Sequence, residues 1–455
     1  MFRSYCNAVG VLALLAFCTP SAGAQESGIA ASGRSRDIAT FRHGFMDRDR
    51  AFTPAARREA ERRLAALEAS SELTDAGFEI ALARIVALAD NGHSSLVPGP
   101  RSARQRRVGL RLMPFGQHFY VVRAQTANAD LLGARLIAID GRPISRVRDV
   151  ARGLFGGIAA FRDRGLSVIF ESPAVLAELG LANSPTAGSY RFRTVNGQVT
   201  ERHLEAAEGA VGSASRTAVR RNFYPELRTE EAGGWVAALA SNAAPWSLQA
   251  PDEPFRWRDG PEIDGMVVEF RQNLNAANRR IADFLAEIEA EIMTRRPRNL
   301  VVDMRMNGGG DLTTTRDFMQ RLPGLVTGRI FVVTSSWTFS AAISSIGYLE
   351  QAAPDRVTIV GEPVGDRLMF FAEGGPIALP DSGIRLIAAT ERHDYRHGCR
   401  GRSDCHRWVV QHPIAIPSLQ PDISAPWTIG DYLAGRDPGI AAVVAAIRGR
   451  ERTAN

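Results

Sequence analysis

The sequence predicts an α+β protein of several domains, in which a helical region and a β-rich module precede an α/β domain. Apolar residues recur at helical spacing over residues 37–98. Short strands with Asp-Gly and Asn-Gly turns dominate residues 105–205. Buried strands then alternate with amphipathic helices over residues 263–448, a pattern typical of parallel pairing. The 455 residues, 45% of them hydrophobic, suffice for two or three cores.

Residues 1–24 predict a signal peptide. Arg3 gives a positive start, an apolar run extends from Val11 to Phe17, and Ala22-Gly23-Ala24 forms an A-x-A cleavage site. The apolar run is too short to span a bilayer, and no other stretch of the mature chain predicts a span. We therefore expect an exported protein, periplasmic or extracellular, with residues 25–36 as a flexible lead-in.

The helical region, residues 37–98, contains two amphipathic segments. FTPAARREAERRLAALEAS begins with a Thr-Pro pair, and LTDAGFEIALARIVALADNGH has Thr74 or Asp75 as its N-cap and Gly92 as its stop. His93 follows directly, and the dipole of the helix is a sufficient ordinary reason for a histidine there.

The β-rich module, residues 105–205, contains the strands VGLRLM and HFYVVRAQ, the phrase GARLIAIDGRPI and a hairpin around Asn196-Gly197. The GARLIAIDGRPI phrase favours a PDZ-like module, which binds an extended chain end by strand addition, over another small β-rich domain. A helical stretch, ISRVRDVARGLF, lies within it. Residues 206–262 are rich in Gly, Ala, Pro and Trp and predict a connecting region.

Two motifs in the α/β domain could bear chemistry. Gly308–Gly310 follow a buried strand in NLVVDMRMNGGGDL, where exposed N–H groups could hold an oxyanion or a phosphate, or where a tight turn could need no ligand. Ser340, in FVVTSSWTFSAAISS, stands where a strand ends and a small-residue helix begins. Such a turn lifts the hydroxyl into solvent beside the N–H of Ala341, although Ser340 could equally be an N-cap.

Composition limits the chemistry. All 55 basic residues are arginine, which excludes a lysine base, a Schiff base and a phosphate-loop lysine. Acidic and basic residues are mixed along the chain, so a solvated surface is favoured over nucleic-acid binding. Cys399 and Cys405 predict a short-loop disulfide in an oxidising compartment. The nearby histidines leave zinc open, but the spacing matches no common zinc pattern, and we predict no metal and no cofactor.

The motifs LVVDMRMNGGGDL, SSWTFSAA, IVGEPVGD, LQPDI and DYLAGRDPGI resemble, in order, those of the C-terminal-processing (tail-specific) and tricorn-core serine peptidases. DNGHSSL resembles the family's segment before its PDZ-like domain. The resemblance covers nearly all of the mature chain. It implies a crotonase-like catalytic domain, a PDZ-like domain and a helical cap. It further implies hydrolysis of a peptide or unfolded protein that is held by its C-terminus at the PDZ-like domain.

Members of this family pair their serine with either Lys or His. Here Asp366 or Arg367 stands where that Lys would be, so the resemblance implies the His-using branch, with Ser340 as nucleophile and His93 as base. It implies oxyanion donors at the N–H of Ala341 and of Gly308 or Gly309.

The sequence departs from the family at the third catalytic residue. The tricorn-like Glu before Pro421-Asp422 is missing, because no acid occurs between Trp408 and Gln420. Glu391, with Glu373 as its rival and Asp394 behind both, is the expected replacement. The missing acid supports an alternative, a weak or inactive peptide- or ligand-binding protein on the same scaffold. An enzyme acting on acyl thioesters is disfavoured by export.

Overall fold

The computed structural model describes residues 31–70, 73–97, 106–207 and 216–454, so the predicted signal peptide lies outside the described residues. The helices are α1 Ala31–Thr40, α2 Pro54–Glu68, α3 Asp75–Val86, α4 Ile144–Ala151, α5 Ala159–Phe170, α6 Pro173–Glu178, α7 Arg216–Arg220, α8 Ile281–Arg295, α9 Arg316–Leu325, α10 Ala341–Ala352, α11 Arg407–Gln411, α12 Ile429–Leu433 and α13 Pro438–Ala454. The strands are β1 Ser95–Val97, β2 Arg107–Val108, β3 Leu110–Phe115, β4 His118–Gln125, β5 Arg135–Ile139, β6 Arg142–Pro143, β7 Ala187–Arg193, β8 Val199–Ala207, β9 Trp235–Ala237, β10 Phe255–Gly260, β11 Gly265–Phe270, β12 Asn299–Asp303, β13 Ile330–Thr334, β14 Val357–Gly361, β15 Met369–Ala378, β16 Arg385–Asp394 and β17 Ile423–Ser424.

The N-terminal helices are held by caps and by long-range contacts. The hydroxyls of Thr53 and Thr74 accept N–H bonds from the first turns of α2 and α3, as expected of N-caps. Helix α1 includes residues 31–36, which belong to the predicted flexible lead-in, so that part of the prediction is wrong. Asp37 accepts the N–H of Asp381 (2.8 Å) and Arg36 Nε donates to the same residue's carboxylate (3.0 Å). These contacts order a segment whose small, polar composition predicts no structure.

The β module is a sheet of order β2-β8-β7-β5-β4-β3 that also contains helices. The predicted β7–β8 hairpin is present, and Thr194 N–H closes its turn on the Gln198 carbonyl (2.8 Å). Helices α5 and α6, which the sequence did not predict, lie between α4 and β7. Leu166 and Phe170 of α5 share one buried core with Leu110 and Leu112 of β3. From the predicted connecting region, β9 pairs with β4, and β10 belongs to the α/β domain.

The α/β domain is built on a six-stranded sheet of order β10-β11-β12-β13-β14-β17. All neighbours pair in parallel except β10 with β11. Alternate residues of each central strand face opposite layers. Leu300 and Val302 pack against the layer of α8, α9 and α10, whereas Val301 packs towards α13. The predicted strand–helix alternation is therefore confirmed, and the loops after β12, β13 and β14 meet at one edge of the sheet.

A long hairpin, β15–β16, forms a separate three-stranded sheet with β1. Strand β1 pairs antiparallel with β16, with Ser95 opposite Ile387 and Leu96 opposite Leu386. The sequence did not predict this hairpin. It has a structural consequence, because it fastens the segment that carries His93 to the α/β domain.

The predicted disulfide between Cys399 and Cys405 is present, with the two Cα atoms 6.1 Å apart. Within the described ranges, His, Cys, Asp and Glu side chains form no group of three or more arranged to hold a metal ion. No helix in the same ranges combines the length and the apolar content needed to cross a bilayer.

Candidate active site

Ser340 lies at a sharp turn between β13 and α10. Its backbone has φ 57° and ψ −126°, a conformation that costs a residue with a side chain about 1–3 kcal/mol and persists only where its surroundings impose it. The surroundings here are the loop after β12. Phe339 N–H donates to the Asn307 carbonyl (3.0 Å), and Thr338 Oγ1 donates to that of Met304 (2.8 Å). Ser340 makes no side-chain capping bond to α10, so the N-cap interpretation finds no support.

The glycine loop presses directly against Ser340. Gly309 has φ 95°, and a Cβ placed on it would lie 2.6 Å from Ser340 Cβ and 3.0 Å from the Ala341 nitrogen. Gly310 has φ 141°. A side chain at position 309 would therefore meet both an unfavourable backbone conformation and a collision. The close approach that the three glycines predicted is present, and its partner is the serine turn.

Two fully buried asparagines hold the loop and the serine turn together. Asn307 Oδ1 accepts the Gly309 N–H (2.9 Å), and Asn307 Nδ2 donates to Asn273 Oδ1 (2.8 Å). Asn273 Nδ2 in turn donates to Ser345 Oγ (2.8 Å) and contacts the Ala341 carbonyl oxygen (3.3 Å) in the first turns of α10. Asn273 is not among the site residues that the sequence predicts. Its only local signal is a polar residue just after a buried strand, at the edge where parallel strands end.

The predicted oxyanion donors differ in availability. Ala341 N–H opens α10, where the first N–H groups have no acceptor within the helix, and it donates no other hydrogen bond within the described chain. By contrast, Gly309 N–H is bonded to Asn307 Oδ1, and Gly308 N–H donates to the Arg271 carbonyl at 3.4 Å. Ala341 is thus the one of the three whose donor is free to bind a developing oxyanion.

His93 lies beside the serine turn. Its imidazole is stacked between Phe339 (ring centroids 4.4 Å apart) and Phe370 (4.8 Å). Phe339 is the residue before Ser340, so the β1–β16 pairing brings His93 next to the nucleophile candidate. Gly92 also packs on the Phe339 ring, since a Cβ placed on Gly92 would lie 3.1 Å from the nearest ring carbons.

The carboxylate of Asp366 lies beside the His93 ring. Asp366 Oδ2 lies 3.5 Å from His93 Nδ1, and the two side chains are 1% and 14% exposed. Neither nitrogen of His93 nor Asp366 Oδ2 has a hydrogen-bond partner among the described residues, so all three atoms remain available. Arg367, next to Asp366, binds the carboxylate and the carbonyl of Asp90 (2.7 Å each) and thereby ties the two segments together.

Glu391 and Glu373, the acids expected to orient His93, contact other histidines. Glu373 Oε1 lies 3.4 Å from His393 Nε2, and Glu391 Oε2 lies 3.9 Å from His406 Nε2. The His393 contact lowers the pKa of the Glu373 carboxyl. Asp394, the third candidate, contacts His397 (3.1 Å).

These histidines extend a stack of rings that passes through the site. Centroid distances of 4.4–5.4 Å join six rings in sequence. The rings of this stack are Phe161, Phe339, His93, Phe370, His393 and His406. Glu373 and Glu391 therefore lie along the stack, one and two rings beyond Phe370. Burial lowers the pKa of the His393 imidazole, which favours its neutral form.

A cavity of about 380 Å³ opens beside the loop that leads into Ser340, between the β module and the α/β domain. Phe115, Phe223, Trp337 and Trp427 contribute aromatic walls. Glu362 also lines it, and burial raises the pKa of its carboxyl. Walls of this kind suit an apolar side chain of a bound ligand.

No protein-family model matches the sequence, and no curated protein is significantly similar to it. Among solved structures, the chain resembles mature CPAF with a TM-score of 0.55 at 14% identity, covering 92% of this chain and 98% of that one. It resembles mature CPAF complexed with lactacystin with a TM-score of 0.51 at 13% identity, covering 88% and 92%. The photosystem II D1 C-terminal processing protease matches over 91% and 97% at 13% identity, with a TM-score of only 0.38. The two CPAF similarities show that the chain has the overall fold of CPAF, and on that ground the predicted relationship to the C-terminal-processing peptidases is confirmed as a relationship of fold.

Proposed function

We propose that this protein is a serine peptidase that hydrolyses peptide bonds through an acyl-enzyme on Ser340. The observation that carries the proposal is the strained turn at Ser340, pressed against Gly309 and adjoining the free N–H of Ala341 and the His93 ring. Backbone strain at a polar residue with an unbonded side chain is typical of a site built for chemistry.

His93 is the proposed general base and Asp366 the residue that positions it. His93 Nε2 takes the proton of Ser340 Oγ as that oxygen attacks the substrate carbonyl carbon. The resulting oxyanion is bound by Ala341 N–H, and His93 then returns the proton to the leaving amine. Water hydrolyses the acyl-enzyme by the same steps. His93 and Ser340 share no hydrogen bond in this structure of the free chain, and such bonds commonly tighten only when substrate is bound.

We assign the positioning of His93 to Asp366 instead of Glu391 or Glu373, because Asp366 lies beside the His93 ring. Its carboxylate faces Nδ1 of His93, so Nε2 is the nitrogen left for Ser340. The charge of Asp366 would stabilise the imidazolium that forms during attack. Asp366 or Arg367 stands where the family's lysine branch would carry its base. In this lysine-free chain, the Asp366 carboxylate of the same turn lies beside His93.

The finer features of the resemblance belong to the same proposal. They are a crotonase-like α/β domain, a PDZ-like β module, a helical cap bearing His93, and export after cleavage before Gln25. The aromatic cavity beside Trp337 is the proposed binding site for an apolar side chain of the substrate.

A fluorophosphonate probe tests the proposal. We expect it to label the folded wild-type chain and not the Ser340→Ala variant, while Ser336→Ala, a matched change in the same loop, keeps its labelling. Labelling that survives in Ser340→Ala would contradict the assignment of the nucleophile.

The second candidate function is a peptide- or ligand-binding protein without catalysis. It is favoured by the His93 imidazole, which makes no hydrogen bond to the Ser340 hydroxyl in this structure. A wild-type chain that melts cooperatively, binds a peptide and stays unlabelled under several conditions would establish it in place of the peptidase.

A further inference from the structure

The edge strand β3 of the β module is poorly suited to accept another strand. It stands last in the sheet order, where an unpaired row of N–H and C=O groups would normally invite an added strand. The outward N–H of Leu112, however, donates to Glu171 Oε1 (2.8 Å). Pro114, two residues on and therefore on the same edge, has no N–H to donate.

Glu171 occupies this edge as a fully buried carboxylate. Besides Leu112 N–H, it binds Arg107 Nη1 (2.9 Å) and lies 3.6 Å from Arg111 Nη1. Its own backbone carbonyl accepts the Val108 N–H (2.8 Å). Glu171 follows α5 directly, so the end of this helix places the carboxylate among a strand N–H and arginine side chains. We call this binding site, formed by Leu112 N–H, Arg107 and Arg111, the seat.

That seat has the chemistry by which proteins hold the C-terminal carboxylate of a peptide. Modules that take a chain end by strand addition use backbone N–H groups of an edge strand for the peptide and a nest of N–H groups for its carboxylate. Arginine adds strong, charge-assisted bonds to such an anion. Here an internal side chain already makes these bonds.

We propose that Glu171 takes, from within the chain, the place of a peptide's terminal carboxylate, so that the β module binds no substrate terminus. The peptidase then selects internal segments of unfolded protein. The statement about cleavage rests on the proposed function, whereas the statement about binding does not.

The same helix links this arrangement to the serine turn. Phe161 of α5 stacks on Phe339 (4.8 Å), and the Arg164 guanidinium lies 5.3 Å from the Phe339 ring centroid. Withdrawing α5 to free the seat would remove both contacts. The arrangement with the seat filled is therefore the one in which α5 packs against the residue that precedes Ser340.

Peptide binding tests the proposal without catalysis. A short fluorescein-labelled peptide with apolar C-terminal residues is prepared with a free carboxylate and as the amide, and is titrated by anisotropy into full-length Ser340→Ala protein. We expect Kd values within about twofold of each other, because no charge-assisted bond to the terminus is made. A peptide held by its carboxylate would lose about tenfold or more on amidation, and that result would overturn the proposal.

A Glu171→Ala variant provides the opposite arm. It empties the seat, so we expect acetate, but not chloride, to raise the melting temperature of the variant. In the wild type, where Glu171 fills the seat, we expect no difference between the effects of acetate and chloride on the melting temperature. Failure of acetate to stabilise the variant would count against a carboxylate seat. If Glu171→Ala does not fold, the proposal is still tested by comparing the Kd values of the carboxylate and amide peptides on the Ser340→Ala protein. Fluorophosphonate labelling of Ser340 reports separately on the proposed function.

Discussion

Replacing Asp366 with asparagine removes a negative charge and keeps the shape of the side chain. Asp366 Oδ2 lies 3.5 Å from His93 Nδ1, and the carboxylate is 1% exposed. When His93 holds the proton of Ser340, the two side chains form an ion pair. Opposite unit charges about 4 Å apart attract by about 4 kcal/mol at an effective dielectric constant of about 20. Because about 1.4 kcal/mol corresponds to tenfold in rate, we expect kcat to fall about a thousandfold.

The measurement is the rate of fluorophosphonate labelling and of hydrolysis of unfolded casein, with the melting temperature checked for each variant. Glu391→Gln and Glu373→Gln are matched controls, since their carboxylates contact His406 and His393 instead of His93. We expect each control to change the rate by less than about threefold, because charges one or two rings further along the stack are weakly coupled to His93. The reasoning is refuted if Asp366→Asn stays within tenfold of wild type, or if either control costs as much.

Three further predictions follow from contacts near the site and beyond it. Gly309→Ala should reduce the rate at which Ser340 is labelled more than about a hundredfold, because the new Cβ would lie 2.6 Å from Ser340 Cβ. Gly324→Ala is the control and should leave labelling intact, because a Cβ at position 324 meets no atom within 4 Å. Burial raises the pKa of Glu350 to about 7. The Glu350 carboxyl then holds its proton more tightly in the folded chain than in the unfolded chain. The contribution of Glu350 to the free energy of unfolding therefore falls as the pH rises from about 4.5 to about 7. Since Glu350 is only half-buried, Glu350→Gln should be more stable than wild type at pH 8 by about 1 kcal/mol and equal to it at pH 4; equal urea midpoints at both pH values would contradict this. Reducing the disulfide between Cys399 and Cys405, six residues apart, should lower the free energy of unfolding by about 2 kcal/mol, and an unchanged urea midpoint with dithiothreitol would show that the loop is already rigid without it.

The features that the sequence predicts well are those whose signals are local. The buried strand β12 runs into three glycines, and β13 runs into a serine followed by small helical residues, so strand, turn and helix are all specified within a few positions. The β7–β8 hairpin is specified in the same way by Asn196-Gly197. These local signals are enough to select Ser340 and the glycine loop as the candidate site.

Helix α5 was missed because charges interrupt its apolar pattern. Asp163 and Arg164 are both buried, at 7% and 5% exposure, although a sequence reading expects such residues on the solvent side. Residues outside α5 satisfy both side chains. Asp163 is bound by Arg148 and Arg152, and the guanidinium of Arg164 lies over the rings of Trp337 and Phe339. Long-range pairing of charges is not visible in local periodicity.

The contact between Asp366 and His93 cannot be predicted from the sequence, for a related reason. This contact depends on the β1–β16 pairing and on the bond between Arg367 and Asp90, which join segments far apart in the chain. The β15–β16 hairpin itself gave no clear signal, because register shifts around Glu373 and Pro376 break the alternation of apolar and polar residues. The resemblance supplied His93 but not its acid, since this chain departs from the family at that position.

The ring stack has a consequence for when the protein can act. Its members come from the β module (Phe161), the N-terminal helices (His93), the serine turn (Phe339) and the β15–β16 hairpin (Phe370). His93, the proposed base, lies early in the chain and Ser340, the proposed nucleophile, lies late, so the stack joins them only when all four parts are packed together. A chain that ends before Phe370 would lack one of the two rings between which the His93 imidazole is stacked. In the proposed peptidase, this dependence would keep an incompletely folded chain inactive.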